Sequence, residues 1–257
     1  MKGDERMKKA NGERPNRERV PRSAAARRVR RARPRGGAFT LIELLVVIAV
    51  IAILAALTFP AVRGVRISMT RARAKGEMAQ IETAIERYKD KLGHYPPDAR
   101  LAGNPNPYAL NTLYYELLGT TNAGGVFRTL DDSAQIEEAR IPLVFGPEVR
   151  GFVNCAHSGG DEAVVARSFL RGLNGKQYLA ITNGASADPV CTVLGSALEG
   201  PLVYQDARGA KLNPWRYNSS NPTNNPNSFD LWMDIAVGGK TNRICNWSDK
   251  PLVVSAP

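Results

Sequence analysis

The sequence predicts an α+β protein in which one long N-terminal helix, first a membrane span and then an amphipathic stalk, packs on a small antiparallel β-sheet head. Three observations carry that expectation. An apolar run of 24 residues, Phe39 to Val62, is interrupted only by Thr40, Glu43 and Thr58. A charged continuation follows, in which Met78, Ile81, Ile85, Tyr88 and Leu92 recur at steps of three and four. From about residue 100 onward, short β-branched and aromatic runs alternate with Gly, Pro, Asn and Asp, the pattern of strands and turns.

Residues 1–38 read as a basic cytoplasmic leader. They hold 14 Lys/Arg against 4 Asp/Glu, whereas residues 39–257 hold 21 against 20, so nearly all of the formal charge of +11 lies in the tail. Arg and Lys clustered just before a long apolar run hold the preceding segment in the cytoplasm during membrane insertion. Nucleic-acid binding by phosphate neutralisation is the competing use of such a tail. It wants aromatic residues or a docking fold nearby, and residues 1–38 contain no Phe, Trp or Tyr.

Residues 39–62 read as a single membrane crossing. At 1.5 Å per residue they make roughly 36 Å of helix, enough for a hydrocarbon core of about 30 Å with some tilt. A secretory signal has an uncharged apolar core of about 7–15 residues and ends in a cleavage site. This run is longer, contains Glu43, and passes through Pro60 into a helical continuation. A plain anchor explains the length but leaves the acid without a reason. Ionisable groups inside a span cost about 2.5–3.5 kcal/mol at its centre and are usually paired and functional. Glu43 lies about one turn in, near enough to reach the interface.

The stretch "GGAFTLIELLVVIAVIAILAALTFPAV" resembles the N-terminal segment of type IV pilins and type II secretion pseudopilins. The resemblance implies that a prepilin peptidase removes the basic leader on its cytoplasmic side, just before a Phe, and methylates the new amine. The family usually has Gly before that Phe, and this chain has Ala38. Cleavage between Ala38 and Phe39 leaves Glu43 as the fifth mature residue, as in the family, whereas cleavage after Gly37 makes it the sixth. The first is preferred because Ala is the next smallest side chain. Initiation at Met7 or later would shorten a leader that is long for the family. In a filament, the Glu43 carboxylate is expected to neutralise the Phe39 amine of a neighbour and set the axial register.

Residues 63–93 read as the amphipathic stalk. Pro60 predicts a kink, because it lacks an amide hydrogen and crowds the carbonyl four residues back, and Gly64 and Gly76 loosen the helix further. The helix is expected to end near Gly93, before Pro96-Pro97. "AQIETAIERYKDKLGHYPPD" is similar to the place in major pseudopilins where the helix gives way to a Tyr-Pro turn, and "YALNTLYYELLG" at 108–119 then reads as a short helix.

Residues 94–257 read as an extracytoplasmic head. Strands are expected within 176–183, 200–206 and 228–237. The Asn/Pro/Ser-rich stretch 213–228 is expected to be an ordered loop, because Trp215 and Tyr217 give it something to bury. The part from "LNPWRYNSS" to "RICNW" resembles the C-terminal part of pseudopilins, whose last loop can hold calcium. Asp230, Asp234 and Asn242 offer oxygen ligands suited to a hard cation, although "GGKTN" replaces the family's acidic loop and Lys240 adds repulsion. "GGKT" is not a phosphate-binding loop, since Asp234 stands where that motif requires Gly.

Cys155, Cys191 and Cys245 all follow the span, on the side where disulfides persist. One bridge and one remaining thiol is the simplest arithmetic, with three pairings open. "CAH" beside Asp161 and Glu162 lacks a second metal-type pair. His94 and His157 are the only histidines, so a catalytic set has little support and no enzyme is expected.

The resemblance therefore implies a structural subunit of a type II secretion pseudopilus or type IV pilus-like filament. Its partners would be copies of itself, minor pseudopilins, prepilin peptidase and an inner-membrane assembly platform. A single-pass, membrane-anchored binding or sensor protein that does not polymerise is the alternative.

Overall fold

The computed structural model describes residues 37, 39–99, 106–156, 165–182 and 189–254. The chain divides into two compact units, Met1–Val50 and Ile51–Pro257. Helix α1 spans Leu41–Leu92 and is long and apolar enough to cross a membrane. In the first unit its large apolar side chains, among them Leu41, Ile42, Leu45 and Ile48, are exposed.

In the second unit α1 buries the expected stripe: Met78, Ile81, Ile85 and Tyr88 are inside, together with Ala74 and Ala84, while Leu92 is half-buried. The helix stops where the sequence says it should. Gly93 takes φ +82° and donates its amide to the Lys89 carbonyl at 2.8 Å, a left-handed cap that glycine adopts without steric cost.

The α+β class holds, and among the described residues the head has three four-stranded sheets where one small sheet was expected. The first contains β1 (Thr120–Ala123), β2 (Val126–Thr129), β3 (Gln135–Glu137) and β4 (Cys155–Ala156). Its order is β3-β2-β1-β4, antiparallel except for the parallel β1–β4 pair. The second contains β5 (Tyr178–Thr182), β6 (Pro189–Ser196), β7 (Tyr204–Gln205) and β8 (Lys211–Pro214), in the order β5-β6-β8-β7. The third is an antiparallel meander of β9 (Arg216–Asn218), β10 (Asp230–Val237), β11 (Lys240–Cys245) and β12 (Ser248–Val254). The described residues of the head also form two short α-helices, α2 (Leu113–Leu118) and α3 (Ile141–Phe145), with a 3-10 turn at Glu138–Arg140 leading into α3.

Two strand expectations hold well, at Tyr178–Thr182 and Asp230–Val237. The one at 200–206 shrinks to Tyr204–Gln205. Pro201 has no amide to give a ladder, and Gly200 is pressed so close to the Asn213 side chain and the Asp234 carbonyl that a Cβ would lie 2.2 Å from Asn213. The stretch 213–228 begins in β8 and β9 instead of being loop throughout, and Trp215 and Tyr217 are buried as expected.

The stalk is held to the head by polar contacts as well as by its apolar stripe. Arg71 donates to Asn242 Oδ1 at 2.8 Å, Lys75 donates to the Asp249 carbonyl, and Gln177 donates to Gln80 Oε1 at 3.1 Å. The innermost contact is at Glu116 on α2, only 1% exposed. It accepts from Tyr88 Oη at 2.9 Å, from the Val153 amide at 2.8 Å and from the Asn154 amide at 2.9 Å. Burial pushes this carboxyl above its ordinary range, and the amides of Asn154 and Val153 and the Tyr88 phenol pull it back. Burial also holds the Tyr88 phenol above its usual value, so it remains a donor.

Glu116→Gln turns one acceptor into a donor facing buried donors, which costs about 2 kcal/mol. The midpoint of urea unfolding, followed by near-UV circular dichroism of the head, should fall accordingly with its slope unchanged.

Candidate functional site

The first turn of α1 is organised by Thr40 and Glu43. Thr40 precedes the helix, and its Oγ1 accepts the Glu43 amide at 3.2 Å. Glu43 Oε2 reaches back to accept the Thr40 amide at 2.9 Å and the Thr40 hydroxyl at 2.8 Å. This is a capping box, in which two amides left without intrahelical partners are satisfied reciprocally. The acid thus has a use within a single chain. Its spacing, Thr-x-x-Glu, was readable in "FTLIEL", and sequence reasoning that looked only for an intermolecular partner missed it.

Only one oxygen of Glu43 is engaged: Oε1 receives no hydrogen bond from the described residues. Phe39 is 79% exposed. Ala38, the other side of the expected cleavage point, lies outside the described residues, as does the basic leader. Further along, the Thr58 hydroxyl donates to the Leu54 carbonyl at 2.6 Å, so the polar group within the apolar run is satisfied by its own helix. The helix continues unbroken through Pro60.

The three residues expected to supply calcium ligands are not brought together. Side chains alternate across a strand, so cross-strand partners share a face. Asp234 is paired with Arg243, whereas Asn242 is paired with Ile235, which puts Asp234 and Asn242 on opposite faces of the third sheet. Each is also engaged by protein. Asp234 accepts from Arg243 at 2.8 and 3.0 Å and lies 3.5 Å from Arg216. Asp230 accepts the amides of Thr223, Asn224 and Asn225 at 2.9–3.0 Å and so folds the preceding loop. Asn242 faces the stalk and accepts from Arg71. The carboxylates that read as cation ligands by type serve an arginine pair and a loop.

The expected disulfide is also not formed. Cys155, Cys191 and Cys245 are buried thiols on β4, β6 and β11, one on each sheet, and burial raises all three above the ordinary thiol range. His94 lies just beyond α1 with its Nδ1 2.9 Å from the Tyr95 carbonyl, and its ring meets Tyr88 edge-on at 5.7 Å. His157, Asp161 and Glu162 lie outside the described residues. "GGKT" forms the β10–β11 hairpin turn, with Gly238 and Gly239 at φ +64° and +75°, the two-residue turn whose twist matches the flanking strands.

Residues 33–59 match the family model described as the prokaryotic N-terminal methylation motif. The match supports a type IV pilin-like prepilin segment at this end of the chain, a substrate for prepilin peptidase, on a helix suited to anchoring in a membrane. No curated protein and no solved structure matches the chain.

Two outcomes test this geometry. Thr40→Val removes one half of the capping box, worth about 1 kcal/mol, and should speed hydrogen exchange of the Glu43 amide about fivefold in detergent micelles. Asp234→Asn breaks a buried ion pair and should destabilise the head by about 3 kcal/mol. That loss should be the same with a chelator as with millimolar calcium, as judged by thermal unfolding.

Proposed function

We propose that this chain is a structural subunit of a type IV pilus-like filament, and within that class a type II secretion pseudopilin. In this reading prepilin peptidase cuts between Ala38 and Phe39 and methylates the Phe39 amine. The leader stays cytoplasmic, the apolar helix crosses the inner membrane once, and the head is extracytoplasmic. The role is mechanical rather than enzymatic: copies of the chain and minor pseudopilins, extracted by an assembly platform, pack their N-terminal helices side by side. Tight packing and interhelical polar contacts drive such association in place of the hydrophobic effect, which is absent in lipid. The Tyr-Pro turn after the stalk and the pattern of the C-terminal strands favour a secretion pseudopilus over a surface pilus.

The observation that carries the proposal is the state of Glu43. It lies within the methylation-motif match, on a helix whose apolar side chains are exposed, and it caps its own helix with one oxygen while leaving the other available. An ammonium group from a neighbouring chain could take that second oxygen without undoing the cap.

Intact-mass and N-terminal peptide analysis of the protein from its native cells should find a methylated Phe39 as the first residue. A mature protein that keeps residues 1–38 would overturn the proposal. Glu43→Gln separates the two uses of the acid, because Gln also completes a capping box. The variant should keep its helix content in micelles yet fail to form filaments, and normal filament yield would rule out a register role for the charge.

A further inference from the structure

We propose that the cleft between the stalk helix and the segment 165–171 is a docking site for an acidic peptide segment of a partner protein. The cleft has a volume of about 540 Å³ and is lined by Arg87 and Lys91 from α1 and by Arg167 and Arg171 from the segment opposite. An adjoining compartment of about 510 Å³ shares Arg87, Phe169 and Arg171 and runs back to Gln80. All four cationic residues are exposed, and none has an acidic partner within salt-bridge distance among the described residues. Three other arginines of the head do have acidic partners: Arg140 with Glu137 at 3.2 Å, and Arg243 and Arg216 with Asp234 at 2.8 and 3.5 Å.

The cleft is built rather than incidental. Its far wall is pinned by backbone bonds: the amides of Phe169 and Leu170 donate to the Leu117 carbonyl at 2.8 and 3.1 Å. The Asn154 side chain accepts the Arg167 amide at 2.9 Å and donates to the Arg167 carbonyl at 2.6 Å, and Gln80 donates to the Arg171 carbonyl at 3.3 Å. A site held this way needs little ordering when a ligand arrives.

Its chemistry selects the ligand. From Gln80 to Lys91 the helix rises about 16 Å, which accommodates about five residues of extended chain. Guanidinium groups along that length suit carboxylates, which they bind in a planar, two-pronged fashion. Between the charges the cleft offers apolar surface at Ala166, Phe169 and Leu130, the last 41% exposed, and the adjoining compartment adds Leu170, so aliphatic side chains between the acids would be covered. A nucleic acid fits less well. Phe169 is committed to Tyr88, at 5.3 Å between ring centroids, and is no open stacking platform for bases. Lipid headgroups are excluded by distance, since Arg87 lies roughly 36 Å along the helix from Arg63, where the apolar run ends. The inference stands whether or not the chain polymerises.

The test uses the full chain in detergent micelles and a fluorescein-labelled hexapeptide of alternating Asp and Leu, followed by polarisation at low ionic strength. The peptide should bind and its Lys-Leu counterpart should not. The double variant Arg87→Glu/Arg171→Glu should weaken binding at least about tenfold. The control Arg128→Glu/Arg150→Glu, equal in charge but away from the cleft, should leave it unchanged. These side chains are exposed, so circular dichroism should report the same fold throughout, and Lys91→Glu alone provides a milder variant with a smaller loss. Absence of peptide binding, equal loss in the control, or tighter binding of an oligothymidylate than of the acidic peptide would each overturn the proposal.

Discussion

A carboxylate sealed away from water has to be fully hydrogen-bonded, and the three groups that bond to Glu116 come from separate parts of the chain. Tyr88 lies 28 residues before it on the stalk, and the amides of Val153 and Asn154 lie 37 and 38 residues after it. Satisfying one acid therefore fixes the stalk, α2 and the approach to β4 in a single arrangement. The effect propagates, because the Asn154 side chain also bonds to the Glu116 carbonyl at 2.7 Å and grips both backbone groups of Arg167. Hydrophobic burial along Met78, Ile81 and Ile85 supplies the attraction between stalk and head. The polar node supplies the register, since sliding the helix would leave buried donors unpaired at about 1–3 kcal/mol each.

The beginning of the helix faces a different demand. In an apolar surrounding every backbone amide must be satisfied from within, and the first turn of any helix has amides without intrahelical partners. Thr40 and Glu43 meet that need locally, so the acid near the start of the apolar run has partners within its own chain.

How much of this was legible in the sequence depended on how local the signal was. The long apolar helix, the stalk stripe and the Gly93 stop follow from composition and helical period within a few turns, and the structure has each of them. Ala74 and Ala84 are buried as deeply as the stripe, but small side chains carry little periodic signal. The division of the head into three sheets depends on pairings such as β1 with β4, which joins Thr120 to Cys155, and short-range patterning does not encode such a pairing. The calcium expectation had the correct ligand type and failed on parity. Whether Asn242 shares a face with Asp234 is decided by the β10–β11 register, and the turn at Gly238 and Gly239 sets it so that Ile235, not Asp234, lies opposite Asn242. Glu116 was invisible for the same reason: inside "YYELL" it looks like the solvent-facing position of a short helix, and its partners are far away in sequence.

The three thiols have a consequence for how the protein is made. Spread over separate sheets and enclosed by packing, they leave the head with no covalent staple to be installed. Each sheet is assembled by packing and hydrogen bonding, with its sulfur filling space as a small apolar group.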